Sequence, residues 1–188
     1  AIKALWDTGV PATVFGAVLF MDNLLTDWAR PLLIEEKRYI YPHAQDLGAN
    51  WICLDDVAKI MMASLDRPDM VGKWLNIGGP ERLTGPQVAA TLSEALGFEL
   101  KYDPSTPEEF AQLLLAAMGD SVAKDNRIAF AAYISDFYHF NNASPTTPFA
   151  VNTEYMLERL PEIKLETLLS WAIRQDWSGN SDTRPSGG

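Results

Sequence analysis

The stretch Gly9-Val10-Pro11-Ala12-Thr13-Val14-Phe15-Gly16-Ala17-Val18 decides how the rest of the chain is read. Gly9 and Pro11 punctuate the end of a preceding helix, Ala1 to Thr8, with Ile2, Leu5 and Trp6 on one face. Glycine just past a helix takes a left-handed conformation without a Cβ penalty. Ala12 to Val18 is then a continuous apolar run with β-branched residues, the pattern of a parallel strand buried on both faces. Such a strand needs parallel neighbours and covering helices, and little before it supplies them. The chain is therefore expected to want a partner, either an upstream half or a second copy of itself.

Working outward, Phe20 to Leu33 reads as a helix interrupted at Pro31, and Tyr39-Ile40-Tyr41 and Trp51 to Leu54 as short strands. A helix begins at Asp55 or Asp56, where acids suit the N-cap and the helix dipole. Val57, Ile60, Met61, Ser64 and Leu65 form its stripe. Gly72 to Ile77 is a strand closed by Gly78-Gly79-Pro80. Thr84-Gly85-Pro86-Gln87 and Thr106-Pro107-Glu108-Glu109 both have the spacing of a capping box, each followed by apolar residues at helical period. Glu99 to Tyr102 alternates like a strand between them. Further helices are read over 127–138, 153–160 and 165–174, after which 178–188 is small and polar, a flexible tail. Strands alternate with helices early and helices dominate late. The predicted class is α/β: the C-terminal part of a Rossmann-like parallel sheet with a mainly helical substrate cap over 1–177.

Composition narrows the functions. The 188 residues are 47% hydrophobic and carry a net charge of −10, with no Lys/Arg cluster to neutralise a run of phosphates, so nucleic acid is not an expected partner. No apolar stretch approaches the roughly 20 residues of a membrane span. The first residues lack the build of a signal peptide, and the single cysteine permits no internal disulfide; a cytoplasmic setting is expected. Cys53, inside Trp51-Ile52-Cys53-Leu54, reads as a small buried hydrophobe. The two histidines make no metal signature.

The series Val10-Pro11-Ala12-Thr13-Val14-Phe15, Phe20-Met21-Asp22-Asn23-Leu24-Leu25 and Trp51-Ile52-Cys53-Leu54-Asp55-Asp56-Val57-Ala58 resembles the NmrA-like family of atypical short-chain dehydrogenases/reductases. The likeness continues in Gly72-Lys73-Trp74-Leu75-Asn76-Ile77, Leu83-Thr84 with Gln87-Val88-Ala89, and Thr106-Pro107-Glu108-Glu109-Phe110. It covers about residues 1–118 in order. The resemblance implies a fold that binds NAD(P)H in an N-terminal half and shapes a small-molecule pocket with the C-terminal half. Some members are reductases; others bind the dinucleotide and signal redox state to a protein partner. Two departures matter. No Gly-x-x-Gly-x-x-Gly turn follows any strand here, so no backbone cradle for a pyrophosphate is visible, and the chain alone is expected to bind NAD(P)H weakly or not at all. Gly16-Ala17 also stand where the family often has Arg-Pro, which removes a donor near the nicotinamide.

On the family's pattern, Phe15, Gly16, Ala17 and Val18 are the candidate cofactor contacts, at the strand edge where open α/β sheets bind ligands. Phe20, Asn23, His43 and His139 are the candidate substrate contacts. Against these, Phe15 and Phe20 also read as ordinary core, Asn23 as a cap, His43 as a surface-loop histidine, and Phe137-Tyr138-His139-Phe140 as packing rather than an aromatic lid. No serine has a base or nucleophile-elbow context, which argues against a hydrolase. No catalytic residue is assigned. The leading reading is the substrate-side portion of an NAD(P)H-dependent oxidoreductase. The rivals are a non-catalytic regulatory module, and a chain that forms a homo-oligomer through its sheet edge.

Overall fold

A computed structural model describes residues 2–179; most of the tail read over 178–188 lies outside them. Helix α1 (Ile2–Asp7) ends at Gly9, whose φ of 70° is left-handed. Strands β1 (Val14–Ala17) and β2 (Leu19–Phe20) follow on either side of Val18, and a 3-10 turn over Met21–Leu25 leads to α2 (Arg30–Ile34). Pro31 starts α2 rather than interrupting a longer helix, since proline costs nothing in a first turn whose N–H groups have no helical partner. Next come β3 (Arg38–Tyr41), β4 (Ala49–Ile52), α3 (Leu54–Ser64), β5 (Trp74–Ile77) and β6 (Arg82–Leu83). The chain continues through α4 (Gly85–Leu96), β7 (Lys101–Pro104), α5 (Pro107–Met118), α6 (Arg127–Ala143), α7 (Thr153–Arg159) and α8 (Leu168–Ile173). The α/β class holds, with parallel strands early and helices late.

Among the described residues three small sheets make the β structure. β1 pairs in parallel with β5, β2 with β4, and β3 with β7, while β6 adds antiparallel to β4. The register Phe15↔Leu75 and Ala17↔Ile77 sets which side chains share a face. Leu75 and Ile77 are buried, packed with Ile60 of α3 and Met156 of α7, and Phe15 and Ala17 lie with them. The alternate residues Val14, Gly16, Trp74 and Asn76 therefore occupy the opposite face, where Trp74 is 55% exposed. The expectation of a strand buried on both faces is thus corrected. Among the described residues one face is covered and the other is open, and no residue of β1 is fully buried.

The second core lies under β3 and β4. Tyr41, Trp51, Phe110, Tyr138 and Trp171 are all buried there. Both predicted capping boxes form: Thr84 N donates to Gln87 Oε1 (2.9 Å), and Thr106 N donates to Glu109 Oε2 (2.8 Å) while Glu109 N donates to Thr106 Oγ1 (3.1 Å). The N-cap of α3 falls elsewhere than expected. Cys53 holds that position, and Asp22 from the 3-10 turn accepts the Leu54 N–H (2.8 Å). Asp55 instead pairs with Arg174 (2.7 Å), and Asp56 is fully buried, bound to Lys59 Nζ (2.8 Å) and to the Glu166 N–H (2.6 Å).

Candidate functional site

Gly16, Ala17, Val18 and Leu19 form the floor of a cleft of about 340 Å³, closed by Asn76 of β5, Phe137 and Asn141 of α6, and Pro148-Phe149 of the following loop. The cleft sits at the C-terminal end of a parallel strand, the usual ligand edge of such sheets. Its volume is at the low end of small-molecule cavities. The floor is small for a reason. A Cβ on Gly16 would lie 2.7 Å from Asn76 Oδ1 and 3.1 Å from Trp74 Nε1.

Local hydrogen bonds hold the walls. Asn50, 4% exposed within β4, donates from Nδ2 to Gly79 O (3.0 Å) and accepts the Val151 N–H at Oδ1 (2.9 Å), and its own N–H donates to Phe149 O (3.0 Å). That clamp fixes Phe149 against the sheet. Gly79 is required there, because a Cβ would fall 1.7 Å from Trp51 O. On the α6 side, Asn142 accepts the Ala44 N–H (2.9 Å) and donates to Pro42 O (2.8 Å), tying the helix end to the loop that carries His43.

The candidate residues separate on this frame. Gly16, Ala17 and Val18 line the cleft, and Phe15 turns to the other face with Leu75. Phe20 packs with the same Leu75, Ile77 and Ile60 core, and Asn23 contributes its backbone O to Thr26, so neither lines the cleft. His139 is exposed, its Nε2 2.6 Å from Glu108 Oε1, and that partner holds the Glu108 carboxyl below its usual pKa. The packing alternative for the 137–140 stretch applies to Tyr138. Phe137 walls the cleft.

His43 is not a surface-loop residue but buried, 6% exposed, behind the Phe149 wall. Its ring lies 4.8 Å from Phe149, 4.7 Å from Tyr41 and 5.5 Å from Tyr138. Nε2 is buried with no partner among the described residues, and burial lowers the imidazole to a pKa of about 4, so it is neutral at pH 7. Tyr138 Oη donates to Tyr41 Oη (3.3 Å), and burial raises both phenols. The Cys53 thiol is buried and pushed up to about 11 by desolvation, an unreactive state. The residues that sequence patterns missed are Asn50, Asn76, Asn141, Asn142 and Phe149. Asn50 and Asn76 had a signal, each an amide inside an otherwise apolar strand.

A second cavity of about 300 Å³ lies between β3, β7 and α5, but its guanidinium, Arg38, is already held by Asp103 and Glu36. Among the described residues no helix is long and apolar enough to cross a membrane.

No family model matches the chain. It is 30% identical to the NAD(P)H azoreductase of Xenophilus azovorans over 118 residues, 62% of this chain and 40% of that protein. Its structure matches a nucleoside-diphosphate-sugar epimerase from Staphylococcus aureus with a TM-score of 0.71 and 27% identity, over 92% of this chain and 56% of the other. It matches NmrA, a negative transcriptional regulator, in fold, with a TM-score of 0.58 and 16% identity over 94% and 59%. The chain thus spans from two fifths to somewhat over half the length of these proteins. In fold it is NmrA-like, with the oxidoreductase-like α/β fold of NAD(P)-dependent reductases and epimerases, and in sequence it is similar over part of its length to an NAD(P)H azoreductase.

Proposed function

We propose that this chain is the substrate-side portion of a cytoplasmic NAD(P)H-dependent oxidoreductase that binds a small, flat molecule in the Gly16–Leu19 cleft. One observation carries the reading: a ligand-sized cleft with a small-residue floor and an aromatic wall at the C-terminal end of a parallel strand. The likeness to an NAD(P)H azoreductase supports the cofactor class. The fit to the dinucleotide is divided. Gly16 and Ala17 add no bulky side chain of their own to the cleft floor, whereas the Asn76 and Trp74 side chains stand over Gly16 and no glycine-rich turn among the described residues supplies N–H groups for the phosphates. The nicotinamide would supply hydride; what this chain's residues do is position a ring and exclude water.

A second reading has its own support. No lining residue of the cleft titrates near neutral pH, so no side chain there serves as a proton donor. That fits a binding or regulatory module that acts through a protein partner.

Both readings need the cleft to bind a ligand, and Gly16→Leu tests that need. In an NMR titration of the ¹⁵N-labelled chain with 1-naphthol, the amides of Gly16 to Leu19 are expected to shift saturably. Gly16→Leu should abolish those shifts while leaving a folded spectrum, because the neighbours it displaces are the ends of side chains on an open face. Full affinity in a folded Gly16→Leu variant would put the ligand site elsewhere.

A further inference from the structure

Two amide side chains on the cleft have their orientation fixed by partners inside the protein. Asn141, 3% exposed, donates from Nδ2 to Phe137 O at 2.7 Å. Turning that amide over would set two acceptors against each other, so Oδ1 must be the free end. Asn76 accepts the Trp74 indole N–H at Oδ1 (3.0 Å), and an indole nitrogen only donates, so Nδ2 is the free end there. Neither free end has a further partner among the described residues, and neither is sealed away from solvent. Both residues line the cleft. It therefore presents one fixed acceptor, from a residue otherwise buried in α6, and one fixed donor, from β5.

Asn141 Oδ1 meets solvent only through the cleft, so a ring that covers it must supply a hydrogen-bond donor or leave the acceptor unpaired at a cost. The rings of Phe137 and Phe149, with centroids 6.0 Å apart, form the apolar wall beside it. We infer that Asn141 is a specificity-determining residue that selects ring ligands carrying a hydrogen-bond donor, a phenolic O–H or an aromatic amine, through its Oδ1. Asn76 Nδ2 accepts no choice of this kind: it donates to any ring oxygen, whether of a phenol, an ether or a carbonyl. The pair thus reads a hydroxylated or aminated ring over its alkylated or donor-free analogue. This inference rests on the cleft being the ligand site.

The test is a matched pair of probes, 1-naphthol and 1-methoxynaphthalene, titrated into the ¹⁵N-labelled chain. The ether keeps the rings and the oxygen and loses the donor. Naphthol should bind about tenfold more tightly, the contribution of one neutral hydrogen bond. Asn141→Leu should reduce naphthol affinity to that of the ether and leave the ether unchanged. Asn76→Ala should weaken both probes and preserve their ratio. Equal affinities in the unsubstituted chain, with cleft amides shifting for both, would overturn the selectivity and leave the cleft as the site. A naphthol advantage that survives Asn141→Leu would assign the acceptor elsewhere. If neither probe shifts the Gly16 to Leu19 amides, the cleft reading itself falls and takes the inference with it. The probe comparison needs no variant, so it stands even if Asn141→Leu does not fold.

Discussion

His43 is the residue whose surroundings most change its chemistry. In an unfolded chain it titrates near 6.5; within the Tyr41, Tyr138 and Phe149 rings burial lowers it to about 4. The folded state therefore binds fewer protons than the unfolded state between those two values. Stability is at its full value above pH 6.5, falls as pH drops through the window, and has lost the whole contribution once pH is below 4. From pH 7 to pH 5 the loss is about 2 kcal/mol from this group alone. Urea unfolding at the two pH values measures it. His43→Phe should remove that component, since no imidazole remains to protonate and the site is apolar; an unchanged pH dependence in the variant would assign the loss to other groups. Gly79 makes a separate residue-level point. Its backbone lies so close to Trp51 O that even alanine must push β4 and the turn apart, which identifies it as a packing glycine and not a phosphate-loop one.

Helix caps decide the element scale. The boxes at Thr84 and Thr106 were legible because both partners lie within one turn of sequence, so spacing alone fixes the geometry. The start of α3 was not, because its capping carboxylate, Asp22, comes from a turn 32 residues earlier. Asp22→Ala should cost about 1 kcal/mol, the usual loss of an N-cap. Asp55→Asn should cost much less, since its one partner among the described residues, Arg174, keeps Glu166 and the pair is exposed. Chemical denaturation of both variants compares them, with 1-naphthol binding expected to be intact in each. A larger loss from Asp55→Asn would return the cap to the position that the local pattern first suggested. Asp56 differs again: buried and doubly bound, it anchors the segment before α8 to α3.

At the scale of the whole molecule, the open face of β1 and β5 dominates. β1 and β5 each have a single hydrogen-bonded neighbour among the described residues, and Trp74, Met61, Met62 and Leu65 are exposed at 51–73%. An apolar groove of about 410 Å³ runs beside them from Pro11 to Val71. Unpaired edges with apolar surroundings associate. The chain by itself is expected to form dimers or larger species, and light scattering should report a mass above 20.9 kDa that falls on dilution. Leu65→Lys should weaken the association without unfolding, because that side chain is 73% exposed. A monodisperse monomer at all concentrations would count against it. The absence of a glycine-rich turn among the described residues bears on cofactor. Tryptophan fluorescence during an NADPH titration should show no saturable binding at low micromolar concentration, and saturation there would require a phosphate site other than a glycine-rich turn.

What the sequence determined by itself is what depends on near neighbours: the α/β class, the helices at Thr84 and Thr106, the left-handed Gly9, and the small floor of Gly16-Ala17. Periodicity, caps and turn residues act over a few positions, so they survive without tertiary context. Tertiary structure decided which faces close and which polar groups meet. Whether β1 is covered on one side or two depends on elements far along the chain. The clamp of Asn50 on Phe149 and Val151 spans about a hundred residues, as does the tie between Asn142 and the His43 loop. His43 itself shows the limit. Tyr41 lies two residues before it, but the Tyr138 and Phe149 rings that complete its desolvation and hold it neutral come from distant segments, because hydrophobic closure depends on the whole packed arrangement and not on local pattern.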